Sequence, residues 1–327
     1  MPTASPAKNL RIEALRAIAI LMVMAQHMNG RLPMPRFYAP MLRHLQFWPG
    51  VDLFFAISGY LICGNFLRLM LGSPSKFAAL REFAQRRFWR LMPALLFWMA
   101  FSVLLAAFIG NAREASESAL AALAGVSNFF WHDCLRTGTS TCGSLDFNSV
   151  AWSLSLEFQL YALISLLLVL LRPPLAIAVL LVLGLIACCF PPTLFSLPWL
   201  LRPTAFALGA LASQLSWPAR PIWLDRTLLA AGVILAVTAP RQLPPSLVLG
   251  ATALAGVLCL ISCLGQSRPA APVLVWIGER SYSLYLCHLP MILLTRSLGL
   301  PWFAAPVIAL AAAHGSFTFI EQRTRRR

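Results

Sequence analysis

The sequence predicts an all-α fold: a polytopic membrane helix bundle of about ten transmembrane helices. Three observations predict it. Of the 327 residues, 59% are hydrophobic and only 11% are charged, whereas a soluble domain carries about 25%. The mean hydropathy is +0.74. Apolar runs long enough to cross about 30 Å of hydrocarbon recur along the whole chain. No repeat or low-complexity segment divides them, so residues 1–327 read as a single transmembrane domain with no appended soluble domain.

The first run, 12–29, carries Arg16 and His27. Eleven residues of helix correspond to about 16 Å of rise and about 20° of residual rotation, so both side chains leave one face. Arg16 points toward one membrane surface and His27 toward the other. The second run, 50–70, opens with Asp52 at the level of His27. A carboxylate there can orient the imidazole, or simply cap the helix start. Ser58 and Gly59 follow, residue types that favour close packing between membrane helices.

The third run, 91–110, is preceded by Arg86, Arg87 and Arg90. Three guanidinium groups in five residues form a phosphate site by their permanent charge and forked donors, although topology alone also accounts for them. The fourth, 150–171, begins Trp152-Ser153-Leu154-Ser155-Leu156-Glu157, and Glu157 is the only acid well inside the span. An ionised group in hydrocarbon costs roughly 2.5–3.5 kcal/mol on insertion scales, so Glu157 requires a partner or water. Runs 174–190, 198–215, 224–240 and 246–264 are mostly apolar. The ninth, 273–294, holds Arg280, Tyr282, Tyr285 and His288, too polar for a helix that faces only lipid. A tenth covers 300–320.

One further segment, 118–131, is short and amphipathic, and loop charge decides its placement. With ten crossings, seventeen cations fall on the side of both termini and seven on the other (Arg31, Arg36, Arg43, Arg113, Arg136, Arg241 and Arg296). Arg202 and Arg280 lie within spans and are left out. The basic side is cytoplasmic by the positive-inside rule, which puts the chain in the inner (cytoplasmic) membrane with both termini inside. Residues 118–131 are then expected as a helix along the outer surface. Cys134 and Cys142 would face an oxidising compartment, where a disulfide is possible. The other six of the eight cysteines lie in apolar runs and read as packing residues.

The composition also excludes some classes. The net charge of +15 lies in short loops, so topology explains it better than nucleic-acid binding. No cysteine or histidine spacing suggests a metal site. Glu13 and Arg16 interrupt any signal-peptide core, so the first helix is expected to be retained.

Taken in order, the segments resemble membrane acyltransferase family 3, whose members O-acylate glycans, antibiotics and other extracytoplasmic acceptors. Its Arg-x10-His spacing is met by Arg16 and His27. Phe54–Tyr60 resembles the second-helix motif, and Arg87 with Arg90 resembles the RxxR loop. Trp152–Tyr161 and Ser281–Pro290 match later motifs, and the likeness covers almost the whole chain. Glu321-Gln322-Arg323 departs from the usual ending, as does Phe158-Gln159-Leu160 from the usual Glu-Gln-Phe.

The resemblance implies an acyl-CoA donor, with acetyl-CoA expected, entering from the cytoplasm. Arg86, Arg87 and Arg90 would hold its phosphates, with Arg16 along its path. The acceptor would be a hydroxyl of an extracytoplasmic or lipid-linked glycan. His27 would serve as general base, oriented by Asp52 or Glu157, or alternatively carry the acyl group itself. Ser58, Tyr60, Trp152, Ser153, Tyr285 and His288 would line the substrate path, with packing equally open to Tyr285. Two other classes accommodate intramembrane charge: a transporter or flippase of lipid-linked saccharides, and a non-catalytic sensor or assembly protein.

Overall fold

The computed structural model describes residues 9–109, 112–138, 145–193, 196–265 and 269–324. It is 80% helical, without strands among the described residues, so the all-α expectation holds. In chain order the helices are α1 (Leu10–Met28), α2 (Tyr38–His44), α3 (Gly50–Gly72), α4 (Lys76–Ile109), α5 (Ala112–Leu123) and α6 (Ser127–Thr137). There follow α7 (Leu145–Asn148), α8 (Ala151–Leu170), α9 (Pro173–Cys188), α10 (Leu197–Leu200), α11 (Thr204–Ala212) and α12 (Ile222–Gln242). The chain continues through α13 (Pro245–Ser262), α14 (Pro272–Glu279), α15 (Ser281–Ser297) and α16 (Ala304–Ser316). A π-helical turn, Phe317–Glu321, leads into α17 (Gln322–Thr324).

Six of these are long and apolar enough to cross a membrane: α3, α4, α8, α12, α13 and the continuous run Ala304–Thr324. The chain is therefore a multi-pass membrane protein. The expected number of about ten rests, beyond those six, on helices of other kinds. One is α1, which carries Arg11, Glu13 and Arg16. The short α9 is another. The remaining two are broken: Pro203, which lacks an N–H, separates α10 from α11, and Arg280 separates α14 from α15.

Two local expectations need correction. Residues 118–131 do not form one helix, because Gly125 turns the chain at φ 71° between α5 and α6. Neither helix is long enough to cross: 12 and 11 residues rise only about 16–18 Å. Asn148 fixes α5 to the start of α8 by donating to the Ala115 carbonyl at 3.1 Å and the Ser118 hydroxyl at 3.0 Å. The arginines before the third span, expected in a loop, instead lie within α4, which is continuous through Pro93.

The bundle is held by backbone-to-backbone approaches at small residues, as in many membrane helix pairs. A Cβ on Gly59 of α3 would lie 2.0 Å from the Phe206 carbonyl oxygen of α11. One on Gly209 of α11 would lie 2.0 Å from the Ala56 carbonyl oxygen of α3. These helices touch main chain to main chain, and the opposite face of α3 forms one wall of the central cavity. Outside the bundle, α2 folds back on α1, where the Tyr38 hydroxyl donates to the Ala25 carbonyl, two residues from His27. Burial raises the Tyr38 phenol above its ordinary pKa, so it remains a donor. Cys134 is disulfide-bonded. Its expected partner, Cys142, lies outside the described residues.

Candidate active site

A cavity of about 860 Å³, counting its open mouth, runs between α1, α3, α4, α8 and α15. Arg16, Ser58, Arg87, Arg90, Ser153, Glu157 and Tyr285 all line it. Five helices widely separated in sequence thus deliver seven of the thirteen expected site residues to one space.

Helical spacing alone does not sort the arginines: residue 90 lies about 60° from 87 and about 40° from 86, and the packing around α4 decides which of them face the cavity. Arg87 and Arg90 line the cavity, while Arg86 turns outward and pairs with Glu82 in an exposed ion pair. The expectation that Arg86 shares the phosphate site is corrected accordingly. The Arg87 guanidinium is 5.4 Å from the Phe83 ring and 5.8 Å from the Tyr161 ring, which fixes it over the cavity wall. Arg16 donates to the Ser281 hydroxyl at 3.1 Å and lies 3.8 Å from Glu13.

Glu157 accepts hydrogen bonds from the Ser58 and Tyr161 hydroxyls. These two hydroxyls compensate its burial. Further along, Ser153 and Tyr285 bond hydroxyl to hydroxyl, and the Tyr285 hydroxyl also reaches the Val150 carbonyl at 3.1 Å. Tyr282 ties α15 to α4 by donating to the Leu91 carbonyl at 2.8 Å.

His288 lies one turn beyond Tyr285 on α15 and is fully buried. Its Nδ1 is 2.8 Å from the Tyr285 carbonyl and 3.2 Å from that of Leu284. Carbonyls only accept, so Nδ1 carries the proton and Nε2 keeps a lone pair. That Nε2 lies 3.1 Å from Nδ1 of His27. In the neutral pair His27 then donates through Nδ1, which leaves a lone pair on its own Nε2. The ring centroids are 5.1 Å apart. His288 thus faces His27 and does not line the substrate path as expected.

The acids expected to orient His27 are elsewhere. Asp52 is buried against Arg202, its Oδ1 3.6 Å from Nε, and Glu157 is committed to Ser58 and Tyr161. The start of α3 packs on α1 at Ala19, Met22 and Val23, through Gly50, so Asp52 lies off the level of His27, and its side chain turns to Arg202. Tyr60 also lies off the cavity, packed against the apolar cluster around Leu15, Leu53 and Leu260. Trp152 packs 6.0 Å from Trp199 and not into the cavity. Sequence reasoning missed Tyr161, Ser281, Trp199 and Arg202. For Arg202 the signal was present: an arginine inside a span, directly before a proline. Among the described residues no cluster of His, Cys, Asp or Glu would hold a metal ion.

The sequence profile of the acyltransferase domain family matches residues 9–320, which include every residue lining the cavity. The chain is also similar to the peptidoglycan O-acetyltransferase OatA of Listeria monocytogenes, at 28% identity over 359 aligned residues. The alignment takes in 96% of this chain but 55% of that protein, so the chain spans little more than half the relative's length. No solved structure matches the chain.

Proposed function

The chain belongs to the acyltransferase domain family, and from that premise we propose that it is an integral-membrane O-acyltransferase that moves an acetyl group from acetyl-CoA to a glycan hydroxyl. The observation that carries this reading is the His27–His288 pair, which leaves one imidazole lone pair at the far end of α1, about 16 Å of helix from Arg16. The similarity to a peptidoglycan O-acetyltransferase favours a glycan acceptor and an acetyl group.

The donor assignment draws on the cations of the cavity. Arg87 and Arg90 share its wall with Arg16, and together they suit the phosphates of coenzyme A. The pantetheine arm would extend along α15 past Tyr282 toward Tyr285. In the transfer, His27 Nε2 takes the proton of the acceptor hydroxyl as its oxygen bonds to the thioester carbonyl carbon. The carbon–sulfur bond then breaks, and the departing thiolate receives that proton from His27. His288 holds the tautomer throughout, because its Nε2 accepts from His27 Nδ1. Glu157, with Ser58 and Tyr161, forms a hydrogen-bonded polar wall midway along the donor path.

We further propose that the donor enters from the cytoplasm and the acceptor lies outside, with both termini cytoplasmic. Loop charge supports that orientation, and so does the Cys134 disulfide, which suits an oxidising compartment. The purified protein in lipid discs, supplied with radiolabelled acetyl-CoA and a glycan, tests the reading. Label appearing as base-labile ester on the glycan is the expected result. Label that never leaves coenzyme A, under conditions where the glycan is instead translocated, would return the chain to the flippase class.

A further inference from the structure

A second space, of about 960 Å³ counting its open side, lies between α4 and α8. Phe83, Ala84 and Phe88 form one wall, and Phe158, Ala162 and Leu166 the other. Phe88 and Leu166 are half exposed, so the groove opens on the surface of the bundle. It extends from Leu80 to Met92, about 18 Å along α4. Arg87, Leu91 and Tyr161 line both this groove and the central cavity, so these side chains form the partition between the two.

The ends of the groove differ. Its outer end, at Met92 and Phe158, is apolar. One helical turn past its inner end, Lys76 of α4 donates to the Val169 carbonyl of α8 at 2.8 Å and so bridges the mouth. That bond uses one of three ammonium hydrogens. Arg81 is exposed, and its spacing of three and seven residues from Ala84 and Phe88 puts it on the groove face of α4, one turn inward. Arg172, also exposed, follows Val169 by three residues. No acid occurs in 76–81 or 161–172 to neutralise these cations, and Glu82, the next acid along α4, is paired with Arg86.

We propose that this groove binds an anionic phospholipid of the cytoplasmic leaflet, with one acyl chain between α4 and α8 and the phosphate on Lys76 and Arg81. The order of groups selects that ligand: cations at the inner mouth, followed by a long apolar wall. A soluble phosphate gains nothing from the wall, and a zwitterionic headgroup leaves the surplus cations unbalanced. Basic pockets between membrane helices on the cytoplasmic side hold acidic headgroups by the same combination. The seated chain lies behind Arg87 and Tyr161, so the polar cavity is walled from the bilayer by two layers instead of one. Only the name of the leaflet depends on the proposed orientation, and nothing in the site depends on the acyltransferase reading.

Native mass spectrometry of the full-length protein, released from phosphatidylcholine discs containing about 10% phosphatidylglycerol, tests the site. Retention of a phosphatidylglycerol, favoured about tenfold or more over phosphatidylcholine once abundance is allowed for, is expected. Ala162→Trp fills the groove from its exposed side and should abolish retention. Lys76→Gln with Arg81→Gln should reduce it about tenfold. Equal retention of the two lipids overturns the proposal, as does unchanged retention in Ala162→Trp. Glycerol 3-phosphate carries the headgroup charge without chains, and displacement of the lipid by it would mean a free-phosphate site and overturn the proposal too. So would a dimer that Ala162→Trp disperses, which would give the groove to a second copy of the chain. Should the double charge variant not fold, Ala84→Trp on the opposite wall supplies the second measurement. Acetyl-CoA is absent throughout, so the acyltransferase reading stands or falls by its own assay.

Discussion

His288 Nε2 lies 3.1 Å from His27 Nδ1, while His288 Nδ1 is held by the Tyr285 carbonyl at 2.8 Å. The second histidine thus sets the tautomer of the first, the role expected at first for a carboxylate. Glutamine at 288 can place its side-chain oxygen near the former Nε2 and still accept from His27. His288→Gln should therefore keep kcat within about tenfold, whereas His288→Leu should lower it by on the order of 10²-fold or more. Equal kcat in the two variants, each checked for folding, would refute the tautomer argument.

Changing His27 to Ala removes the proposed base. Transfer should fall by about 10²–10⁴-fold while acetyl-CoA binding stays nearly intact, because the donor arginines lie far along the bundle. Turnover per folded molecule and calorimetric donor binding, measured on one preparation, separate the two effects. Transfer within a few-fold of wild type would remove His27 from the chemistry.

The arginines of α4 predict a contrast within one short segment. Arg87→Gln with Arg90→Gln should raise the KM for acetyl-CoA steeply, since charged hydrogen bonds contribute about 1.5–3 kcal/mol each. Arg86→Gln should leave it near wild type, because Arg86 spends its charge on Glu82 at the surface, where such pairs contribute about 0–1 kcal/mol. Similar KM changes in both proteins would mean that bulk positive charge, and not the cavity face, recruits the donor.

Gly59→Ala should destabilise the bundle without touching the cavity lining. The added Cβ would meet the Phe206 carbonyl oxygen at 2.0 Å, so α3 and α11 must separate. Overpacking of this kind typically costs about 1–3 kcal/mol. A thermal melt in detergent reads the effect, and an unchanged midpoint would show that the helices can part freely.

Much of this architecture was legible in the linear pattern. Apolar runs located the helices, and the eleven-residue interval placed Arg16 and His27 on one face. Charged residues too costly for lipid marked α1, α4, α8 and α15 as walls of a polar interior. What failed was azimuth between helices. Counting from the helix starts put Asp52 level with His27, but α3 meets α1 at Gly50 against Ala19–Val23 and turns Asp52 to Arg202; a similar ambiguity attached Arg86 and Tyr60 to the cavity. A period of 3.6 residues fixes angles within one helix and leaves the angle between two helices to packing. The helix break after α10 was similarly hidden, because hydropathy averages over a proline and the arginine before it.

The close approach of α3 and α11 at Gly59 and Gly209 carries one more implication, for the evolvability of the proposed donor channel. Two hydrogens separate α3 from α11, so selection cannot enlarge the channel by retreating α3, since nothing compressible lies behind it. A variant enzyme adapted to a bulkier acyl group must obtain its room by trimming rings that project into the lumen, such as Phe54. The repertoire of donors open to this scaffold is therefore written in a few side chains in front of a backbone that has no slack.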